Sequence, residues 1–175
     1  STFPTATVED DEFKATRQEV LDQTERMIRN RGNKDPRTFH RELGAIKWDY
    51  VGMARNAQGL REAITKIRAL REEYWQNLKV PGRPDSFNKY LEYAGRIGDY
   101  MELGELVAMD ALQREESCGG HFREEYQTEE GEALRNDERF AFAAAWEYKG
   151  PNQKPELHRE DLTFESVELK QRSYK

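Results

Sequence analysis

Residues 88–117 read NKYLEYAGRIGDYMELGELVAMDALQREES, and this stretch decides the fold. Tyr90, Leu91, Ala94, Ile97 and Met101 fall on one line at helical spacing, while Tyr93, Tyr100, Leu103 and Val107 fall on another. A helix with two apolar lines calls for partners on two faces. The spacing predicts a helix from Phe87 towards Glu115, capped by Asp85 or Ser86. At about 1.5 Å per residue it reaches roughly 40 Å, so other helices of similar length should pack against it.

Three such helices lie upstream. Thr7 and Asp10 have the spacing of a capping box, Phe13, Val20, Leu21, Met27 and Ile28 continue at helical period, and Gly32-Asn33 stops the run. Asp35-Pro36 offers an N-cap followed by proline at the first helical position. Phe39, Leu43, Ile46, Tyr50 and Met53 then mark a second helix that ends near Asn56. Leu60, Ile64, Ile67, Leu70, Tyr74 and Leu78 form a third stripe, closed by Val80-Pro81-Gly82.

Beyond Glu116 the character changes. Residues 117–138, SCGGHFREEYQTEEGEALRNDE, are polar, acidic and glycine-containing, and read as a long loop with one short helical turn. Phe140, Phe142, Ala144, Trp146 and Tyr148 alternate with the period of a half-buried strand. After the turn-rich link GPNQKPELHRED, a second strand is expected over Leu162 to Leu169, with a bulge or a two-sided strand where the apolar phase slips between Phe164 and Val167. The expected fold is mostly α: an antiparallel bundle of three to four helices over 1–116, then a long loop and a β-hairpin-like tail over 117–175, packed as one domain.

Composition narrows the function. The chain has 175 residues, 36 % hydrophobic and 35 % charged, with 28 Lys+Arg against 34 Asp+Glu. A net charge of −6 argues against a nucleic-acid partner bound through phosphate neutralisation. No window approaches the ~18 uncharged residues of a membrane span. One cysteine excludes an internal disulfide and any multi-cysteine metal site, which points to a reducing compartment. The opening STFPTATVEDDEF carries no basic stretch followed by an apolar one, so no signal peptide is expected.

Reactive residue types are dense only around His121, with Cys118, Arg123, Glu124 and Glu125 beside it and Glu115 and Glu116 before it. A metal would require His121 and two carboxylates to converge, which the spacing does not force. A Cys118–His121 nucleophilic pair lacks an orienting third group. The favoured reading is a loop whose Gly119-Gly120 permits positive φ and whose His121 and Arg123 hydrogen-bond another surface. His40 and His158 read as surface or capping residues. No phosphate-cradling or dinucleotide-binding fingerprint occurs, and no catalytic, cofactor-binding or metal-ligating residue is expected.

Several strings together resemble the C-terminal helical domain of succinate dehydrogenase/fumarate reductase flavoprotein subunits: IKWDYVGMARNAQGL (46–60), residues 88–117 and 117–138, and the closing QRSYK. Trp48, Gly52 and Arg55 match the family's tryptophan helix and following turn. Arg114, Glu116, Ser117, Gly119, Gly120, His121 and Arg123 match its Arg-x-Glu-Ser-Arg-Gly-(Ala/Gly)-His-x-Arg run, and Arg172-Ser173-Tyr174 its ending. Cys118 replaces the family arginine, Glu125 stands where aspartate is usual, and Gly104-Glu105 replaces Asn-Met or Asn-Leu.

The resemblance implies one part of a larger flavoprotein that interconverts succinate and fumarate, with FAD and substrate held by regions upstream of this chain. The implied partners are its own FAD-binding and capping domains, an iron–sulfur subunit and, indirectly, a membrane anchor subunit, at the inner face of the cell membrane on the cytoplasmic side. Ser117, Gly119, Gly120, His121 and Arg123 are then expected at the interface with the flavin and capping domains. L-aspartate oxidase, with a similar segment, and a free-standing helical adaptor are the alternatives.

Overall fold

The computed structural model describes residues 5–83, 86–150, 153–168 and 170. In chain order the helices are α1 (Asp11–Arg29), α2 (Pro36–Val51), α3 (Ala57–Asn77), α4 (Lys89–Gln113) and the single turn α5 (Asp137–Phe140). Strands β1 (Phe142–Glu147) and β2 (Glu156–Asp161) follow as an antiparallel pair. Helices α2, α3 and α4 pack on one another, and α1 meets α4 over a smaller contact.

The helix starts follow side-chain chemistry. Asp35 accepts from the Arg37 and Thr38 N–H groups, Asn56 from Gly59, and Asn88 from Tyr90 and Leu91. Asn88 therefore caps α4 instead of Ser86, and Asp85 lies outside the described residues. At α1 only half of the capping box forms: the Asp10 carboxylate accepts from Thr7 N–H, and the helix begins at Asp11. Gly32, in the link from α1 to α2, runs so close to α3 that a Cβ there would lie 1.9 Å from the Asn77 carbonyl oxygen.

The core sits where α2, α3 and α4 meet. Phe39, Leu43, Ile67, Tyr74, Ile97 and Met101 are all buried, as their stripes predict. The Tyr74 hydroxyl donates to the Ala94 carbonyl at 2.7 Å, and burial pushes its pKa well above the usual value. Gly104 is buried against Leu43, Lys47 and Ile67, and the neighbouring Glu105 joins α4 to α3 through Arg68 and Arg71. These contacts give the departure at Gly104-Glu105 a structural role.

Several expectations are corrected. Phe13, Val20 and Leu21 are exposed, because the first turns of α1 run beyond the bundle and only Met27 is buried. Met53 falls after the end of α2 and is 92 % exposed. On the second apolar line of α4, Tyr93 packs against the core, but no helix among the described residues covers Tyr100, Leu103 and Val107, which are exposed. The second strand is β2, within the link assigned to turns, while 162–164 are not strand. Phe140 belongs to α5, so the two-residue period survives only in half-buried Phe142 and Trp146. The Trp146 indole N–H donates to Asp110 at 2.8 Å and ties the hairpin to α4. Leu169 and Arg172-Ser173-Tyr174 lie outside the described residues.

Candidate functional site

Helix α4 ends at Gln113 with no basic residue in its last turn. Its final carbonyls lack helical partners and carry the negative end of the helix dipole. The following loop turns back and supplies the missing donors. Arg123, 2 % exposed, donates from Nη1 to the carbonyls of Ala111 at 2.9 Å and Leu112 at 3.1 Å. Its Nε donates to Glu125 at 3.1 Å, and its guanidinium lies over the Tyr126 ring. The His121 Nε2 faces the Arg114 carbonyl at 2.9 Å.

The backbone of the loop is held as firmly. The Ser117 hydroxyl donates to the Arg123 carbonyl and accepts from the Arg123 N–H. Arg55, in the turn between α2 and α3, donates its N–H to Phe122 and accepts from Glu124 N–H. Glu124 accepts from the Asn56 side chain and Glu125 from the Ala57 N–H. Burial opposes charge on Glu125, yet the bonds from Arg123 and Ala57 hold its carboxyl below the usual 4.5. Glu116 is buried and accepts from Arg114 and from Asn136 N–H.

Cys118 and His121 exchange two backbone bonds around a tight turn whose centre is Gly119-Gly120. Gly119 has φ +59°, and no atom lies within 4 Å of a Cβ built at either glycine. Both are exposed. Of the five expected interface residues, the structure thus turns Ser117 and Arg123 inward, leaves Gly119 and Gly120 outside, and half-buries His121.

A metal site at His121 is not assembled. Glu115 pairs with Arg139, and Glu116, Glu124 and Glu125 hold the partners named above. The Cys118–His121 proximity is one of backbones, with the imidazole Nε2 turned to Arg114. Glu147, Glu156 and His158 come together on the hairpin, but all three are exposed and the Lys149 ammonium already contacts both carboxylates. His40 is exposed and hydrogen-bonds the Tyr93 hydroxyl through Nδ1.

His121 carries a pH dependence. Burial, together with Arg55, Arg114 and Arg123, lowers its pKa below the usual 6.5, against the opposing bond to the Arg114 carbonyl. The unfolded chain therefore takes up this proton at higher pH than the folded one. Stability from this group is complete above the usual value and is lost as pH falls below it. Thermal melts between pH 7.5 and pH 5 should show a falling Tm for wild type and a shallower fall for His121→Gln. Parallel curves would assign the acid sensitivity elsewhere.

Sequence reasoning found the loop but not Arg55, Glu124 and Glu125 as the residues that fix it. Nothing in local spacing links positions 68 apart; only the match at Arg55 marks one of them.

The described residues do not fit an FAD. The sheet has two antiparallel strands, without the parallel strand and glycine turn that receive a pyrophosphate. A cavity of about 390 Å³ opens at the hairpin beside Trp146, Lys149 and Lys154. No helix among the described residues is long and apolar enough to cross a membrane.

A helical bundle clasped by a buried ionic loop and followed by a two-stranded hairpin defines a mostly helical domain. The sequence family described as Fumarate reductase flavoprotein C-term matches residues 40–174, and the chain belongs to that family. It is 38 % identical over 85 residues to an uncharacterized FAD-dependent oxidoreductase of Methanocaldococcus jannaschii, covering 49 % of this chain and 15 % of that protein. It is 26 % identical over 112 residues to the fumarate reductase flavoprotein subunit of Haemophilus influenzae, covering 64 % and 18 %. With the L-aspartate oxidase of Yersinia pestis it shares 31 % over 88 residues, covering 49 % and 15 %.

A solved chain of E. coli quinol fumarate reductase superposes with a TM-score of 0.77 at 20 % identity, over 93 % of this chain and 27 % of that one. A chain of the Mycobacterium smegmatis Sdh1 complex gives 0.68 at 25 %, over 84 % and 24 %. The first likeness is one of fold. The chain spans about a sixth of the length of the curated relatives above.

Proposed function

We propose that this chain is the C-terminal helical domain of a succinate dehydrogenase/fumarate reductase flavoprotein subunit, and that its work is structural. The observation that carries the reading is the family match over 40–174, joined to a site whose polar groups are spent on one another. In the whole subunit, succinate and fumarate are interconverted at an FAD bound by other parts, and electrons pass to or from an iron–sulfur subunit. The cofactor supplies that chemistry. The bundle, loop and tail act as one domain, which packs on the flavin-binding and capping domains. The subunit sits peripherally on the inner face of the cell membrane through its partner subunits.

The interface lies at the loop Ser117 to Arg123. Ser117 and Arg123 hold its shape from inside, while Gly119, Gly120 and the outer edge of His121 meet the neighbouring domains. L-aspartate oxidase is the second reading, supported by matches of 28–32 % identity to that enzyme in three species.

Two measurements test this. The purified 175-residue chain should show no flavin absorbance after desalting; stoichiometric flavin would overturn the structural reading. The flavoprotein that carries the domain should reduce an artificial acceptor with succinate. Turnover with L-aspartate and none with succinate would transfer the chain to the second reading.

A further inference from the structure

Arg55 stands apart from the cations around it. Arg114 is paired with Glu116 and Arg123 with Glu125, whereas no carboxylate among the described residues lies within ion-pair distance of Arg55. Its guanidinium donates from Nη2 to the Gly120 carbonyl at 3.2 Å, and its Nε is shielded from solvent with no partner. Asp110, the acidic group acting on it from a distance, is engaged by the Trp146 indole. A half-buried guanidinium whose Nε has no partner, beside another guanidinium, is poorly placed unless an anion completes it.

The surroundings are those of a contact surface. Trp48, in the last turn of α2, is 83 % exposed, and Met53, two residues before Arg55, is more exposed still. The Gly119-Gly120 turn, bonded to Arg55, offers open backbone with room for close approach. Tryptophan, methionine and arginine are the side chains enriched at the centres of protein interfaces.

We propose that this end of the bundle, built from Trp48, Met53, Arg55 and the Gly119-Gly120 turn, docks on the flavin-binding part of the subunit, and that this part supplies a carboxylate side chain to Arg55. The proposal rests on the packing reading above and adds the anchor and the charge of its partner. Charge complementarity selects the occupant. Arg114 and Arg123 are already paired with Glu116 and Glu125, whereas Arg55 is not, and a carboxylate is the group that completes its open Nε.

The test compares the 175-residue chain with the full-length, FAD-bound flavoprotein. Amide exchange in residues 48–56 and 118–121 should slow by about tenfold or more in the full-length protein. Arg55→Met should leave the Tm of the chain alone within about 2 °C of wild type, because the backbone bonds from residue 55 to Phe122 and Glu124 remain and only the exposed Nη2 bond to Gly120 is lost, and should lower that of the flavoprotein. Trp48→Ser, at a site too exposed to disturb folding, should act in the same way. Absence of protection in both segments would remove the packing reading and this inference together. Protection confined to 118–121, or equal effects of Arg55→Met in both proteins, would overturn the inference and leave the packing intact. Protection of 48–56 that appears in the chain alone as its concentration rises would give the surface to a second copy and equally overturn it.

Discussion

Arg123→Met should lower the stability of the chain by about 3–5 kcal/mol, the range for removing one partner from a buried charged network. The methionine fills similar space but leaves the Ala111 and Leu112 carbonyls without donors and Glu125 without its guanidinium. Unmade bonds at buried backbone groups cost more than the bonds contribute when present. Relief of the repulsion between Arg123 and Arg55 offsets a small part. Arg123→Lys should recover little, since one ammonium cannot serve the α4 carbonyls and Glu125 with the planar fork that arginine provides. Urea denaturation measures the effect. If Arg123→Met unfolds at the wild-type midpoint, the guanidinium is not what closes α4.

Ile97→Ala should cost about 2–5 kcal/mol, the range for emptying a core position. Ile97 is fully buried in the cluster that contains Phe39, Leu43, Ile67, Tyr74 and Met101. Those neighbours belong to three helices, so closing the void would require helices to move. Ile97→Val should cost only about 0.5–1.5 kcal/mol, because one methyl group is removed. A Tm for Ile97→Ala equal to wild type would place the side chain outside the core.

The bundle was legible because its signals are local. Asp35-Pro36 starts α2 by its own chemistry, and the stripe Leu60 to Leu78 keeps helical phase throughout α3. Burial was less legible than helicity. Phe13, Val20 and Leu21 have the right period, but periodicity does not say whether another helix reaches that far. Strand β2 gave no signal because Glu156–Asp161 is mostly charged and exposed; ion pairs from Lys149 to Glu147 and Glu156 join the two strands.

The candidate site was legible as a string and opaque in its chemistry. The run from Arg114 to Arg123 marked the loop, and Gly119 does adopt positive φ. The acceptors for Arg123 and His121, however, are backbone carbonyls at the end of α4, and a carbonyl has no letter in the sequence. Arg123 reads as a surface donor until the fold shows where α4 stops.

The pairing of Arg55 with the loop also bears on how the polypeptide emerges from the ribosome. At roughly 5–20 residues per second, the 68 residues between the α2–α3 turn and its loop partners take about 3–14 s to synthesise. Helices form and pack far faster than that. Helices α3 and α4 are made within that time, and the ten residues from Gln113 to Arg123 then take about 0.5–2 s, during which the last carbonyls of α4 stay open to water and the clasp is still missing. Chains that stall before Arg123 is free of the exit tunnel would carry a frayed α4 and an unclosed Arg55, which makes this interval the vulnerable period of the domain's synthesis.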